Sequence, residues 1–405
     1  MLCMYIRITS IPGGIMKKIL IFAVCLCAVT SNCEEKKAGN SSVRIKKEEP
    51  PKIELVFILD NTGSMSGLIS TAKDKIWSIA TSMAQSDPAP EISLGLIGYR
   101  DRGDEYITKT VSLTSDLDSV YEELMHMKAD GGGDSPESVN EALNKAVTRI
   151  PWSSDNKTYR VAFLVGDCPP HMDYSDDVKF PVTCSLAVKK EIIINTIQMG
   201  NDPSATPIWK KIAGITHGQY IKVDQRASDL LIATPFDEKI AALTDLLDNA
   251  RIYYGTREEQ AYQHSRMVKS KTMKSGMSTE LKAKRGIYNA TKSGKKNFTG
   301  SKELISDLAA GTVSMDKLDN SQLPENLKNL TPAQQKAAVD SVGRLRKKLT
   351  SEVNALQKKR TEYIKYELKN TSESEKENAF SNKVYETICK QAGEKGITYT
   401  KGVQH

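Results

Sequence analysis

The chain has 405 residues, 39% of them hydrophobic and 26% charged, which is the balance of a soluble globular protein rather than a disordered or polytopic membrane chain. At that length two units plus linkers is the natural expectation. The net charge of +7 is modest but uneven: from Arg251 onward there are 30 Lys and Arg against 17 Asp and Glu, which leaves 27 against 33 before it. An acidic first half and a basic second half predict separate roles.

In chain order, the first element is a leader. "MKKILIFAVCLCAVTSNCEEKK" starts at Met16 with two lysines, continues as an apolar stretch from Ile19 to Val29, and passes through small residues to Cys33. That is the order of a signal peptide, and the apolar core is too short to span a bilayer, which takes about 20 residues. The cysteine at the boundary resembles a bacterial lipoprotein signal, although Thr30 and Asn32 depart from its usual residues; the resemblance implies lipidation of Cys33 and a membrane anchor, with plain secretion and an uncleaved anchor as alternatives. Residues 1–33 are thus assigned to the leader. Residues 34–51, polar and charged and ending in two prolines, are a tether.

From Lys52 to about Val223 strand and helix signals alternate. "IELVFIL" (53–59), "ISLGLIGY" (92–99), "YRVAFLVG" (159–166) and "EIIINTIQM" (191–199) are near-continuous apolar runs, as strands buried on both faces of a parallel sheet require. "YITKTVSL" (106–113) alternates like an edge strand, and "GQYIKV" (218–223) is a short last strand. Helices are expected at 67–83, 117–128, 136–149 and 205–215. The series predicts an α/β fold, a doubly wound and mostly parallel sheet flanked by helices, with ligands at the carboxyl ends of strands where their order reverses.

Three loops converge on that edge. Asp60, Thr62 and Ser64 follow the first strand, Asp167 follows "YRVAFLVG", and "DGGGDSPESVNEAL" brings Asp134, Ser135 and Glu137 to the start of a helix. Carboxylates and hydroxyls without His or Cys suit a hard cation, Mg2+, Ca2+ or Mn2+, and magnesium in particular keeps open positions for other ligands. Asp101 and Asp104 stand just after the second strand and are candidates for the same rim or a second ion. The spacing excludes an EF-hand, no Lys-Ser/Thr follows the glycines to make a phosphate cradle, and "RGD" at 102–104 is short enough to arise by chance. "DYSDD" (173–177) is expected to be a solvated loop. Cys168 and His171 lack the further ligands of a zinc site; Cys168 and Cys184 either pair across one loop or stay free.

Asp60-Asn61-Thr62-Gly63-Ser64 resembles the Asp-x-Ser/Thr-x-Ser signature of von Willebrand factor type A domains, over about residues 52–235. The resemblance implies a metal-ion-dependent adhesion site, with Asp167 as the acid of its third segment. The second segment departs from the common pattern of a Thr after paired glycines and is similar to the Asp-x-Pro-Glu loop of integrin β-subunit domains. On that similarity Glu137 is the ligand candidate, with Asp134 second. The implied function is binding: a cation held by Asp60, Thr62, Ser64, Glu137 and Asp167 accepts an Asp or Glu from a protein partner.

The remaining segments are mainly helical. An amphipathic helix is expected within 234–255. Residues 236–300 read as a helical and basic linker: ten Lys and Arg against the single acid Glu280 lie between Arg266 and Lys296, and the segment reads as a solvated helix or arm. Anionic lipid, acidic polysaccharide and nucleic acid are the ligands such charge admits, but sparse aromatics and export argue against nucleic acid. Residues 301–405 contain a long helix (330–368) whose Val342, Leu345, Leu349, Val353 and Leu356 form one apolar stripe, to be covered within the chain, by a second copy or by a partner, and a final helix with a strand-like end (382–399). No Gly-x-Ser-x-Gly or His-Glu-x-x-His motif occurs and only five His are present, which disfavours an enzyme. The rival readings are a structural subunit that assembles through the C-terminal helices and an exported metal-dependent enzyme.

Overall fold

The computed structural model of the protein describes residues 49–133, 135–223, 232–369 and 380–399. Six strands, β1 (Lys52–Asp60), β2 (Glu91–Tyr99), β3 (Thr108–Thr114), β4 (Tyr159–Gly166), β5 (Ile192–Met199) and β6 (Tyr220–Val223), form one sheet in the order β3-β2-β1-β4-β5-β6. All neighbours are parallel except β3, which runs antiparallel to β2 at the edge. The expected doubly wound α/β sheet is therefore present, including the half-exposed β3 at an edge. β1 sits between β2 and β4, and its residues from Leu55 to Asp60 are buried on both faces, which is why its sequence is an unbroken apolar run rather than an alternating one.

The two sheet faces carry separate cores. On one, Val56, Ile58, Ala162, Leu164 and Ile194 pack under α3 (Val139–Thr148), α4 (Phe180–Lys189) and α5 (Ala205–Ile215), with Trp209 wholly buried among them. On the other, Ile53, Leu55, Phe57, Val161 and Phe163 lie under α1 (Ser66–Met83) and α2 (Leu117–His126). The expected helix over 136–149 starts later, at Val139, because Glu137 pairs in parallel with Pro170 and the backbone there is extended. Cys168 and Cys184 are free thiols.

The C-terminal half consists of α6 (Asp237–Asn249), α7 (Arg257–Ser275), α8 (Thr279–Ala290), the short α9 (Lys295–Thr299), α10 (Leu304–Ala310) and α11 (Glu325–Lys328), the long α12 (Pro332–Lys369) and α13 (Phe380–Gly393). Its packing runs across residue 235 into the sheet domain. Leu281 and Tyr288 of α8, and Val384, Ile388 and Ala392 of α13, belong to the same core as α1 and β1. The Trp77 ring of α1 lies between those of Tyr121 and Tyr288, with centroids 6.0 and 5.9 Å away. Gln391 of α13 accepts from the Tyr159 hydroxyl at 2.7 Å and exchanges two hydrogen bonds with Asn195. Beyond the helix, Thr398 bridges Asp87, so the strand-like end expected there is a single pair. Leu349 and Val353 of the α12 stripe are covered within the chain by Ile240, Leu243, Ile287 and Phe298, while Leu345 remains exposed. Among the described residues no helix is long and apolar enough to cross a membrane.

The basic segment between Arg266 and Lys296 departs from its expected solvation. Arg285 is 0% exposed and donates to both Asp118 carboxylate oxygens, at 2.8 and 2.6 Å, to Asp248 at 2.9 Å and to Ser270 at 2.9 Å. Lys274 reaches Asp245 and Asp248, each at 2.6 Å. The sequence pattern counted these cations as surface charge because their partners lie far away in the chain. Burial opposes ionisation of Asp118, but the charge and hydrogen bonds of Arg285 outweigh it and hold this carboxyl well below the usual range; Asp248 is lowered in the same way by Arg285, Arg251 and Lys274.

Arg285→Ala removes the guanidinium that pairs with buried Asp118 and leaves Asp248 to Lys274 and Arg251 alone; it should cost about 3–5 kcal/mol of folding stability, measured by chemical denaturation at neutral pH. Because both folded-state carboxyls are depressed, the stabilisation is complete above their unfolded pKa near 3.8 and is lost as pH falls below it. The variant should therefore lose less stability than the parent between pH 4 and the acid limit, within about 1 kcal/mol of the parent's loss if the network contributes nothing.

Candidate metal centre

β1 and β4 are adjacent and parallel, yet the chain leaves β1 towards α1 on one face and leaves β4 towards α4 on the other. The crevice between diverging exits at the carboxyl edge is where such sheets bind ligands. Asp60 is the last residue of β1 and Asp167 the first after β4.

The Asp60 carboxylate is wholly buried and half satisfied. Its Oδ1 accepts from the Thr62 backbone N–H at 2.9 Å and from the Thr62 hydroxyl at 2.6 Å. Its Oδ2 is buried with no hydrogen-bond partner. The Thr62 and Ser64 hydroxyls are 3.3 Å apart, and Ser64 is exposed, so the chain of oxygens runs from the interior to the surface. Glu137 is 2% exposed and is held by its backbone, which donates to the Pro169 carbonyl and accepts from the His171 N–H, both at 3.0 Å. Its Oε2 also lacks a partner. Burial, reinforced by Asp167 and opposed by the Thr62 hydrogen bonds and the neighbouring Tyr99 hydroxyl, pushes Asp60 up to about 7. Burial and the charges of Asp60, Asp101, Asp167 and Asp104 push Glu137 up to about 9. The acids thus lie close enough to one another to disfavour a shared negative charge.

Glycines let the loops approach. Gly132 has φ +73°, and a β-carbon there would stand 2.8 Å from Thr62 Cβ and 3.1 Å from Glu137 Oε1, so the glycine backbone is the wall between those two residues. At Gly166 a β-carbon would lie 3.0 Å from Asp60 Oδ2. Backbone hydrogen bonds fasten the glycine loop to the first one, from Gly63 to the Gly131 carbonyl at 3.1 Å and from Asp130 to the Asn61 carbonyl at 3.0 Å.

The structure therefore brings Asp60, Thr62, Ser64, Glu137 and Asp167 to the same carboxyl edge of the sheet, while Asp134 and Cys33 lie outside the described residues. Asp101 and Asp104 reach the same rim: Asp104 accepts from the Gly132 N–H at 3.1 Å, and Asp101 accepts from the Ser138 and Tyr174 hydroxyls, each at 2.8 Å. The "DYSDD" loop is solvated as expected at Asp173, Ser175 and Asp176, with Tyr174 and Asp177 partly covered. Tyr174 stacks on His171 with centroids 3.9 Å apart, and Arg102 pairs with Asp176 and Asp177 at 2.9 and 2.8 Å. Ser138, His171 and Tyr174 carry no signal in the sequence that ties them to this edge; only the fold brings them there.

The donor set can be tested against a hard cation from its own chemistry. Two buried carboxylate oxygens without partners, a third acid and two hydroxyls are oxygen ligands of the kind Mg2+, Ca2+ and Mn2+ prefer. Among the described residues no three His, Cys, Asp or Glu side chains close on one point as a ready cage. The residues fit a hard cation by the kind of donor they offer, oxygens of carboxylates and of the adjacent Thr62 and Ser64 hydroxyls, and not by a preformed coordination geometry.

Comparison with known proteins points to the same segment. Residues 54–225 match the model of the von Willebrand factor A domain family. Von Willebrand factor A domain-containing protein 7 of Rattus norvegicus is 37% identical over 105 residues, 26% of this chain and 11% of that protein. A putative ariadne-like RING finger protein of Acanthamoeba polyphaga mimivirus is 27% identical over 119 residues, 29% of this chain and 11% of its own length. The chain thus spans about a tenth of the curated relatives it matches. Among solved structures, a von Willebrand factor type A protein from Catenulispora acidiphila aligns over 43% of this chain and 39% of its own, at 15% identity and a TM-score of 0.33.

Glu137→Gln removes one unpartnered buried carboxylate and its repulsion from Asp60. In chelator at pH 7 this variant should be more stable than the parent by about 1–3 kcal/mol, read by chemical denaturation; a loss of stability would mean the carboxylate is already compensated within the chain.

Proposed function

Residues 54–225 are a von Willebrand factor A domain, and from that premise we propose that the chain binds an acidic side chain of a protein partner through a divalent cation at the β1/β4 edge. Domains of this kind generally serve protein–protein interaction and adhesion. The observation that carries the reading is the pair of buried, partnerless oxygens, Asp60 Oδ2 and Glu137 Oε2, on opposite loops of one crevice beside the Thr62–Ser64 hydroxyl pair. An isolated buried carboxylate is costly unless paired or metal-bound.

Asp60, Thr62, Ser64, Glu137 and Asp167 are the residues that would hold the ion. When bound, the ion supplies a Lewis-acidic centre for one partner carboxylate. Asp60 fixes the Thr62 hydroxyl by accepting its proton in a hydrogen bond, which turns the oxygen lone pairs away from Asp60. Exposed Ser64, Gly133 and Ser135 leave the mouth open to a partner, and Met172, 46% exposed, offers an apolar contact close to His171. Desolvation of the partner's carboxylate offsets much of the attraction, so affinity also depends on such neighbouring contacts. Binding rather than catalysis is the favoured reading, since His171 beside the site already pairs with Asp173 at 2.8 Å and faces Asp101 at 3.4 Å.

Titration calorimetry of the full chain with Mg2+, Ca2+ and Mn2+ separately should show uptake of at least one ion at a single site at millimolar concentration or below, abolished by Asp60→Ala. Absence of heat and of thermal stabilisation with all three ions would remove the metal-dependent reading. We also propose, from the leader alone, that a lipid on Cys33 displays the domain at the cell envelope. Labelled palmitate should enter the protein in a bacterial host and fail to enter the Cys33→Ala variant; equal labelling of both would exclude the anchor.

A further inference from the structure

The C-terminal half carries a concave surface whose charge is uncompensated among the described residues. A groove of about 850 Å3 lies between α10 and α12 with Lys295 at one end, and it opens beside a smaller hollow of about 280 Å3 that shares Lys295, Ser306, Arg346 and Thr350 with it. Five cations line the groove, Lys295, Arg346, Lys347, Lys358 and Lys359, and no carboxylate does. Arg346 is committed internally: it pairs with buried Glu303 at 2.7 Å and lies over the Phe298 ring at 5.0 Å. The four lysines differ, because none of them forms an ion pair among the described residues. Elsewhere in the same half lysines do find acids, Lys296 with Glu91, Lys328 with Glu325 and Lys365 with Glu362.

The spacing along α12 gives the charge a direction. Lys347, Ser351, Asn354 and Lys358 follow one another by three or four residues and so share one face of the helix. From Lys347 to Lys358 that face extends roughly 16 Å at the α-helical rise per residue. Between the two lysines stand neutral hydrogen-bonding groups, Thr350, Ser351 and Asn354, all in the lining. Cations at the two ends with hydroxyls and an amide between them match an extended chain that repeats both anionic and hydroxyl groups. No aromatic side chain lines the groove, so it lacks the stacking platform that single-stranded nucleic acid uses. A concave track also fits a flat lipid surface poorly.

We propose that this groove binds a linear acidic polysaccharide. The lysine ammonium groups meet its carboxylate or sulfate groups, and Thr350, Ser351 and Asn354 hydrogen-bond to its hydroxyls. The site is independent of the metal-centre reading, since none of its residues is shared with the β1/β4 edge.

The test uses the full chain and three probes: heparin as a sulfated polysaccharide, polygalacturonate as a carboxylated one, and vesicles of phosphatidylglycerol and phosphatidylcholine. The parent should bind at least one polysaccharide at low ionic strength, with affinity that falls as salt rises. Lys347→Glu with Lys358→Glu should weaken that binding by about tenfold or more, whereas Lys269→Glu with Lys271→Glu, an equal charge change on exposed α7, should alter it by less than about threefold. Circular dichroism and denaturation midpoints confirm that both variants fold, and Lys347→Gln with Lys358→Gln gives a milder second variant that should fall between. Equal losses in both charge-reversed pairs would reduce the effect to net charge and overturn the proposal. So would binding to the vesicles without binding to either polysaccharide.

Discussion

A carboxylate shut away from water must be matched by positive charge or hydrogen bonds, and this protein meets that constraint in two contrasting ways. At the junction of the sheet domain with the C-terminal helices, Asp118 and Asp248 are answered by the Arg285 guanidinium. At the carboxyl edge of the sheet, Asp60 and Glu137 are as deeply buried, yet each keeps an oxygen with no partner. The same chain supplies a cation in one place and withholds it in the other. Strand order explains where the second site lies: at β1/β4 the connections depart to opposite faces of the sheet, which is where sheets of this kind bind ligands. The electrostatic cost is then concentrated at the edge where the proposed cation and partner would relieve it.

The unequal charge of the two halves has a structural consequence beyond the sum. Cations of the second half neutralise acids of the first: Arg285 meets Asp118, Arg266 meets Asp116, Lys296 meets Glu91. These contacts tie α7, α8 and α9 to α2 and the start of β2, in parallel with the apolar contact of Trp77 with Tyr288. Since α8 and α13 belong to the same core as α1, removing the C-terminal half would strip Trp77 of its Tyr288 neighbour and leave Tyr159 and Asn195 without Gln391. The lysines that line the α10–α12 groove are among those that take no part in this pairing among the described residues.

The sheet was legible in the sequence because parallel strands covered on both faces must be continuously apolar. "YRVAFLVG" and the helix at 205–215 match their observed bounds, and the antiparallel β3 shows the alternation of a half-exposed edge. The site was legible as far as its residues follow strand ends, as Asp60 and Asp167 do. Glu137 needed a motif, because nothing in its own neighbourhood says that a residue inside an apparent helix start would be held in extended backbone by Pro169 and Pro170. Arg285 was not legible: local pattern reads a lone arginine among lysines as surface charge, and its burial depends on Asp118, 167 residues away in the chain. Non-local ion pairs leave no periodicity, whereas buried strands do.

The loop after Asp60 is held by a set of hydrogen bonds from the chain itself. Arg100, 3% exposed, donates to the Asn61 carbonyl at 3.2 Å and to the Lys128 carbonyl at 2.8 Å. Asn61 donates to the Tyr106 hydroxyl at 2.9 Å, and the Gly131 and Asp130 backbones hold the far side of the turn. Asp60 and Thr62 are thereby set in position by folding itself, so occupying the site demands little further ordering of the chain. What a ligand has to overcome is desolvation, and what it gains is relief of mutual repulsion among acids that folding has already forced together. Under the proposed reading, such a site would discriminate by charge and hardness before shape, since a neutral or singly charged occupant would leave most of the repulsion in place and a hard divalent ion would remove it. The same rigidity leaves Ser64 exposed at the outer end of the oxygen donors, where the proposed partner carboxylate would continue them.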